Sequence, residues 1–336
     1  MAGVTGPATA VPSGLRICSL LPSLTEVVGG LGLQAALVGV THECDVCDDE
    51  AGLARALAAG ALRVTRSHIP LGLDQGAIDA AVKTSLGAGV SLYSLDEDAL
   101  RAAAPSVVLT QTLCDVCAVA EGAVSAACSR LSAALPSAPA VHAFEPHTLA
   151  DVAASLEAVG AACGVAERGA ALRAAFQTRL DAVRAAVAAV APPAPQTLLL
   201  LEWLDPPFDG GSWIPDMVRL AGAVPALNAD SGAKSVGHTW AEVLAADPDV
   251  VVVACCGFDL ARNVADAALP GGLGELRAWR EGRVFAADAN RFFARPSQAL
   301  APGAALLARV VHGPRIDALV PFTPREGVAW ARLADA

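Results

Sequence analysis

An α/β protein of two Rossmann-like lobes joined by one long helix is the fold class this sequence predicts. In the first half, short apolar runs alternate with Ala-rich helical patterns; a long uninterrupted helical stretch follows, and then the alternation resumes. Alternating strands and helices imply parallel sheet built by right-handed crossovers. At 336 residues with 54% hydrophobic content, the chain is long enough for two domains, each with a core of its own.

The elements read in order as follows. RICSLL (16–21) is a buried strand, and PSLTEVVGGLG after it is a helix with Ser23 or Thr25 available as its cap. ALVGVT (36–41), SVVLTQ (106–111) and AVHAFE (140–145) are further strands, with helices at 77–86, 97–104, 119–134 and 149–163. The stretch 166–190 sets Leu172, Phe176, Leu180 and Val183 at helical spacing and stops at APPAP, where proline cannot continue a helix. QTLLLLEW (196–203), DVVVVA (249–254) and RVFAAD (283–288) are the strands of the second half, with helices at 214–221, 240–246 and 300–311. The expected boundaries are a disordered tail over 1–15, a first lobe over 16–165, a bridging helix over 166–191, a second lobe over 192–315 and a C-terminal tail over 316–336.

Composition narrows the function. The net charge is −11 and the isoelectric point about 4.9, with no basic cluster. That excludes nucleic acid as a partner, because phosphate contacts need a Lys/Arg patch, and it argues against docking on an anionic membrane. No apolar run approaches the ~20 residues a membrane span requires. The opening residues MAGVTGPATAVPSG have no basic n-region and no long apolar h-region, so a cytoplasmic location is expected. The nine cysteines cannot all pair internally. In a reducing compartment they read as thiols or metal ligands.

Ligands of parallel α/β sheets bind beyond the carboxyl ends of the strands, so the residues placed there matter most. Pro22-Ser23 follows the first strand, and His42-Glu43-Cys44-Asp45-Val46-Cys47 follows the second. Thr112-Leu113-Cys114-Asp115-Val116-Cys117 follows the third. In the second half, Glu202-Trp203 leads into Leu204-Asp205, while Cys255-Cys256-Gly257-Phe258-Asp259 and Asn290 to Pro296 follow later strands. Cys44/Cys47 and Cys114/Cys117 have C-x-x-C spacing, which lets two thiolates chelate one ion, so a zinc or iron–sulfur site is one expectation. Cys117 runs into a predicted helix, and a dithiol redox role is the alternative. Cys18, Cys128 and Cys163 fall at apolar positions and read as small buried hydrophobes.

His42 beside Cys44 reads as a ligand, and Glu202, ending an apolar strand, as a ligand or a polar cofactor contact. Trp203, Trp213, Phe258, Phe292 and Phe293 are candidate walls for a flat ligand, with ordinary packing the equal alternative. Arg295 is placed to hold a carboxylate or phosphate. His68, His142, His147, His238 and His312 show no partner pattern and read as structural.

The segments RICSLLPSLTEVVGGLGLQAALVGVTHECD, LTQTLCDVCAV, LLEWLDPPF, GSWIPDMV, CGFDL and RVFAADANRFFARP resemble the periplasmic-binding-protein-like superfamily of the cobalamin and iron–siderophore type. They are closest to a branch of cobalamin-binding, ABC-transporter substrate-binding-like proteins. The resemblance covers nearly the whole chain and implies two lobes on a long helix with a ligand cleft between them. Its motif positions fall on His42, Glu43, Cys44 and Asp45; on Gln111, Cys114 and Cys117; on Glu202, Trp203, Asp205 and Trp213; and on Cys256, Gly257, Phe258, Asp259, Asn290, Arg295 and Pro296. Cys47 and Cys255 stand outside the pattern.

The resemblance therefore implies a metal-facing set of His42, Glu43, Cys44, Cys114, Cys117, Glu202 and Cys256. It implies a cofactor-contacting set of Gln111, Trp203, Asp205, Trp213, Phe258, Asn290 and Arg295, to which Ser23 is added from its place after the first strand. The expected function is capture of cobalamin or a related metal-bearing cofactor by a binding protein rather than an enzyme. The alternatives are a zinc or iron–sulfur metalloprotein and a thiolate enzyme on the same scaffold.

Overall fold

A computed structural model describes residues 10–46, 50–111, 124–128, 138–190, 194–268 and 272–333. The chain divides into two compact units. Unit 1 is Met1–Pro146 with Asp151–Ala174, and unit 2 is His147–Ala150 with Ala175–Ala336.

Unit 1 contains β1 (Ile17–Ser19), α1 (Pro22–Gly30), β2 (Leu37–Val40), α2 (Glu50–Ala58), β3 (Leu62–Arg63), β4 (Thr65–Ser67), α3 (Gln75–Gly87), β5 (Tyr93–Leu95), α4 (Glu97–Ala103), β6 (Val107–Gln111), β7 (Ala140–Phe144) and α5 (Leu149–Ala162), the first two residues of α5 being assigned to unit 2. Its main sheet has the order β3-β2-β1-β6-β7 and is parallel throughout. The chain moves from β1 to one side and later returns to the other, so the strand order reverses between β1 and β6. β4 and β5 form a separate antiparallel pair. One layer of the core packs Cys18, Leu20, Val64, Leu100, Val108, Val124, Ala127 and Cys128. Burial raises the thiol pKa of Cys18, of Cys128 and, to about 11, of Cys163, which keeps these three protonated as apolar filling.

The long helix, α6 (Ala166–Val190), contributes its first residues to unit 1 and the rest to unit 2. Within unit 1, α5 and α6 touch backbone to backbone: a Cβ on Gly160 would lie 2.5 Å from the Cα of Gly169. Only paired glycines permit that approach.

Unit 2 continues with β8 (Thr197–Leu204), β9 (Pro207–Asp209), α7 (Ile214–Leu220), β10 (Val224–Pro225), α8 (Trp240–Ala246), β11 (Val250–Val253), α9 (Leu260–Ala267), α10 (Arg277–Arg280), β12 (Val284–Ala287), α11 (Ala289–Phe292), α12 (Leu300–His312) and β13 (Trp330–Leu333). The sheet order is β10-β8-β11-β12-β13, with β9 folded back on β8. The β8, β10, β11 and β12 pairings are parallel, and the order reverses between β8 and β11. Val251, Val253, Leu199 and Leu201 anchor the core beneath.

The structure corrects several expectations. The segment from 316 does not lie outside the second lobe: Trp330–Leu333 pairs antiparallel with β12, and Trp330 is buried with its indole N–H donated to the Pro324 carbonyl. α1 starts at Pro22 without a side-chain cap. Ser23 is simply buried in its first turn, while the Thr25 hydroxyl bonds back to Leu21 O and to Ser19 Oγ. α2, α9 and the short strands β3, β4, β5, β9 and β10 were not expected from periodicity. The helix expected over 119–134 is described only at 124–128, which is helical. Cys47, Cys114 and Cys117 lie outside the described residues, as does residue 191 beyond the long helix.

Candidate functional site

Unit 1 presents a pinned turn where β2 ends. Arg63, at the end of the neighbouring β3, donates through Nη1 to the carbonyls of Thr41 (2.6 Å), His42 (2.9 Å) and Cys44 (3.2 Å), and through Nη2 to Cys44 O (3.3 Å). One guanidinium fork thereby ties down three carbonyls of a single turn. The Glu43 amide donates to Thr41 Oγ1 at 3.2 Å. Beneath the turn, the Cys44 thiol sits 3.1 Å from both Thr25 Oγ1 and Thr41 Oγ1, and Thr25 in turn donates to Ser19 Oγ at 2.8 Å. These four side chains are all buried.

Cys44 is therefore a member of an enclosed hydroxyl–thiol cluster, which speaks against its expected place among the metal-facing residues. Among the described residues, no three His, Cys, Asp or Glu side chains gather to hold a metal ion.

His42 projects from the same turn. Its backbone N–H donates to Thr65 Oγ1 at 3.1 Å, and its Nδ1 lies 2.8 Å from the same hydroxyl. The ring rests 5.4 Å from that of Tyr93, tilted by 40°. Nε2 is enclosed and has no hydrogen-bond partner; Glu43 Oε1 is 3.3 Å away but outside hydrogen-bond geometry. Ser23 and Gln111, both buried, border the point between β1 and β6 where the strand order reverses.

In unit 2 the corresponding reversal, between β8 and β11, is bordered by Trp203 and Phe258. Their rings are 5.4 Å apart and tilted by 37°. The Cys256 amide donates to Glu202 O at 3.0 Å, tying the two strand ends together. Gly257, at φ +85°, turns the chain in the left-handed region. Phe258 follows, and α9 begins on Asp259, whose carboxylate accepts the Arg262 N–H at 2.8 Å. The Arg262 guanidinium lies 4.5 Å over the Phe258 ring and is held by Asp266 at 2.8 Å. Trp203 and Phe258 are half-buried and pack against the core of unit 2; Trp203 donates its indole N–H to Asp205 O at 3.1 Å. Asp205 precedes Pro206 through a cis peptide bond.

The other expected residues separate by location. Glu202 is half-buried and Cys256 exposed, both beside the aromatic pair. Trp213 and Phe293 are interior: Trp213 donates its indole N–H to Phe293 O at 2.8 Å, so neither ring forms a ligand wall. Asn290 is half-buried on α11, and Arg295 is buried after it. Asp288 caps α11 by accepting the Arg291 N–H, and burial raises its carboxyl above the usual range against the opposing pull of Arg291 and Arg295.

Three structural groups were missed by sequence reasoning. Asn263, fully buried, accepts the Cys255 N–H (2.9 Å) and donates to Ala287 O (2.9 Å) and Phe258 O (3.3 Å), so it ties the ends of β11 and β12 together under Phe258. Asp209 accepts from Val236 N (2.8 Å), Asn228 N (3.2 Å) and His238 Nε2 (2.8 Å), giving His238 the partner that sequence spacing did not reveal. Arg63 and Thr65 hold His42. The one readable signal was a polar residue inside an apolar stretch, as in PPFDGGSW.

A family model described as "Periplasmic binding protein" matches residues 17–290. The structure is similar to a periplasmic heme-binding protein from Pseudomonas aeruginosa, at 20% identity and TM-score 0.62, covering 88% of this chain and 92% of that one. It is similar also to the periplasmic vitamin B12-binding protein BtuF of Vibrio cholerae, at 18% identity and TM-score 0.59, covering 88% and 96%. A third likeness is to the periplasmic heme-binding protein BhuT in complex with two hemes, at 23% identity and TM-score 0.60, covering 90% and 98%. At these identities the likeness shows the fold. No curated protein matches the chain.

Proposed function

The chain belongs to the periplasmic binding protein family, and on that premise we propose that it is a substrate-binding protein for cobalamin or a related metal-bearing tetrapyrrole such as haem. The observation that carries this reading is the Trp203–Phe258 pair at the strand-order reversal of unit 2, the place where α/β sheets receive ligands. A conjugated macrocycle presents broad apolar faces, and aromatic rings meet such faces in offset or tilted contact worth about 0.5–1.5 kcal/mol beyond the area buried. Half-buried rings fit that use better than fully enclosed ones. Arg262, stacked 4.5 Å over the Phe258 ring and paired with Asp266, extends the aromatic cluster with a planar group.

The bound group would supply a metal centre; the chain's part is to hold and orient it. Cys44 does not enter this reading, because its thiol is committed to its hydroxyl cluster. The names of similar structures, which include heme- and vitamin B12-binding proteins, support the ligand class.

The test is direct. Purified protein is titrated with ferric haem and with cyanocobalamin, following the visible spectrum and co-elution on gel filtration. Saturable binding of either supports the reading; no spectral change and no co-elution with both overturns it.

A further inference from the structure

The geometry points to a second binding site within unit 2, at the end of its sheet opposite Trp203 and Phe258: Arg283 and Arg332 form a seat for a small phosphate-type dianion. The site stands apart from the ligand reading above and does not depend on it.

Arg283 precedes β12, and its carbonyl accepts the Val251 N–H near the start of β11, so it lies at the amino end of the parallel strands. β13 runs the other way and carries Arg332 to the same end. The register sets Phe285 opposite Arg332. Residues two apart on a strand share a face, so Arg283, Phe285 and Arg332 lie on one side of the sheet. The two arginines are diagonal neighbours, roughly 7–8 Å apart along the backbone.

Both guanidinium groups are positioned by the fold. Arg332 stacks with its guanidinium carbon 5.2 Å from the centre of the Phe285 ring and donates through Nη1 to Gly282 O at 2.7 Å. Arg283 is half-buried and donates through Nη2 to Gln196 Oε1 and to Val311 O at 3.4 Å. These partners are carbonyl and amide oxygens, which carry no net charge. A guanidinium has five N–H donors in a planar fork, so each arginine has donors beyond those used here.

The carboxylates at this end are drawn elsewhere. Arg277 pairs with Asp247 at 3.0 Å, Asp249 at 2.9 Å and Glu281 at 3.2 Å. The second Asp249 oxygen accepts the Thr197 N–H and hydroxyl at 2.8 and 3.0 Å. Arg309, on the neighbouring α12, is paired with Asp317 at 2.9 Å. Among the described residues, no carboxylate forms an ion pair with Arg283 or Arg332. The resulting field is felt locally. Arg283 is lowered from its ordinary value first by burial and then by repulsion from Arg332, while Asp249 and Glu281 pull the other way. His312 is lowered by burial and, further, by the charges of Arg315 and Arg283.

Two like charges held side by side favour a ligand that answers both. A dianion does so in one molecule, and the oxygens of a phosphate group match the guanidinium fork in spacing and plane. Chloride offers a single point and a single charge. Binding makes and breaks no covalent bond.

The experiment titrates the full chain by calorimetry with inorganic phosphate and, separately, with glycerol 3-phosphate, in chloride buffer of constant ionic strength. The wild type should give saturable, one-site heat. Arg332→Gln, at an exposed position, should weaken binding about tenfold or more, which is ~1.4 kcal/mol per tenfold. Arg332→Lys, which keeps the charge without the fork, should lose less. Arg283→Lys tests the other arm while keeping a cation beside Gln196, and it too should weaken binding. Arg101→Gln, on the surface of unit 1, should change nothing.

Melting curves give a second readout. Phosphate salts out all variants alike, but occupancy of the site should add roughly 2–4 °C in the wild type that Arg332→Gln lacks. Tighter binding of glycerol 3-phosphate identifies a phosphate monoester as the ligand, and tighter binding of inorganic phosphate identifies the free ion. Absence of saturable heat with both probes overturns the inference. So does an affinity that is the same in wild type, Arg332→Gln and Arg283→Lys, which would mark an adventitious ion only. Neither result bears on the tetrapyrrole titrations, so each reading fails or stands by itself.

Discussion

Asp209 and His238 meet in a 2.8 Å carboxylate–imidazole contact, with the carboxylate almost wholly enclosed. The same carboxylate accepts the amides of Val236 and Asn228, so one side chain holds the 226–238 loop against the β8–β9 turn. The backbone is packed just as closely there: a Cβ on Gly211 would lie 2.2 Å from the Ser235 nitrogen. Asp209→Ala removes the acceptor from several buried donors at once and should lower unfolding stability by about 3–5 kcal/mol. Asp209→Asn, which keeps one acceptor oxygen, should cost less. Urea unfolding of the three proteins checks this; a loss below ~1 kcal/mol for the alanine variant would show that the loop is held otherwise.

Asn263 should behave as a positioning residue. Asn263→Leu fills the volume but removes the hydrogen bonds that Asn263 makes to the Cys255 amide and the Ala287 carbonyl, and each such buried group left unpaired costs about 1–3 kcal/mol. Stability should therefore drop, and because Phe258 O loses the Asn263 donor while keeping the Ala289 N–H, tetrapyrrole affinity should fall by less. Equal affinity in a stably folded variant would separate Phe258 placement from Asn263.

Trp203→Ala removes half of the aromatic pair at a half-buried position. Ligand binding should weaken by about 1–2 kcal/mol, near tenfold, with a smaller effect on unfolding. Trp213→Phe gives the opposite profile, losing the hydrogen bond to Phe293 O in the interior while sparing binding. Parallel titration and melting of the two variants distinguishes them.

His312 sets a pH dependence. Burial holds its pKa below the ordinary 6.5, and its Nε2 lies 2.8 Å from Ala221 O, to which the neutral ring donates. The unfolded chain takes up a proton near pH 6.5 while the folded chain resists until lower pH. This contribution to stability is therefore intact above about pH 6.5 and is lost as the pH falls toward the folded-state value. His312→Gln should flatten that part of the profile. Melting temperatures recorded from about pH 7.5 down to about pH 5 decide it, an unchanged slope in the variant counting against His312 as the group responsible.

The two-lobed α/β architecture was legible because its central strands are long apolar runs: VVLTQ in β6, TLLLLEWL in β8 and VVVV in β11 can hardly be anything but buried parallel strands. Edge and hairpin strands of two or three residues, such as β3 and β10, carry too few side chains to show a period. Strand-end placement drew attention to His42, Trp203 and Phe258, which do lie at strand ends in the structure. It failed for Cys44 and Trp213, because spacing cannot tell a side chain that points out of a loop from one that points under it. Asn263, Asp209 and Arg63 act through partners distant in sequence, separated by up to 29 residues in the case of Asp209 and His238, and no local pattern encodes such a meeting.

β12 is flanked by β11 on one side and by β13 on the other, and the 330–333 segment that forms β13 comes from well beyond the main run of the sheet. The strand it covers, Val284–Ala287, consists of four buried apolar residues. Cleavage or truncation between 313 and 329 would bare their main-chain N–H and C=O groups as an open, uncharged edge, the kind that recruits strands from neighbouring molecules. What the last strand guards is the protein's resistance to aggregation, so a loss of solubility would be the first sign of its removal, whatever becomes of ligand capture.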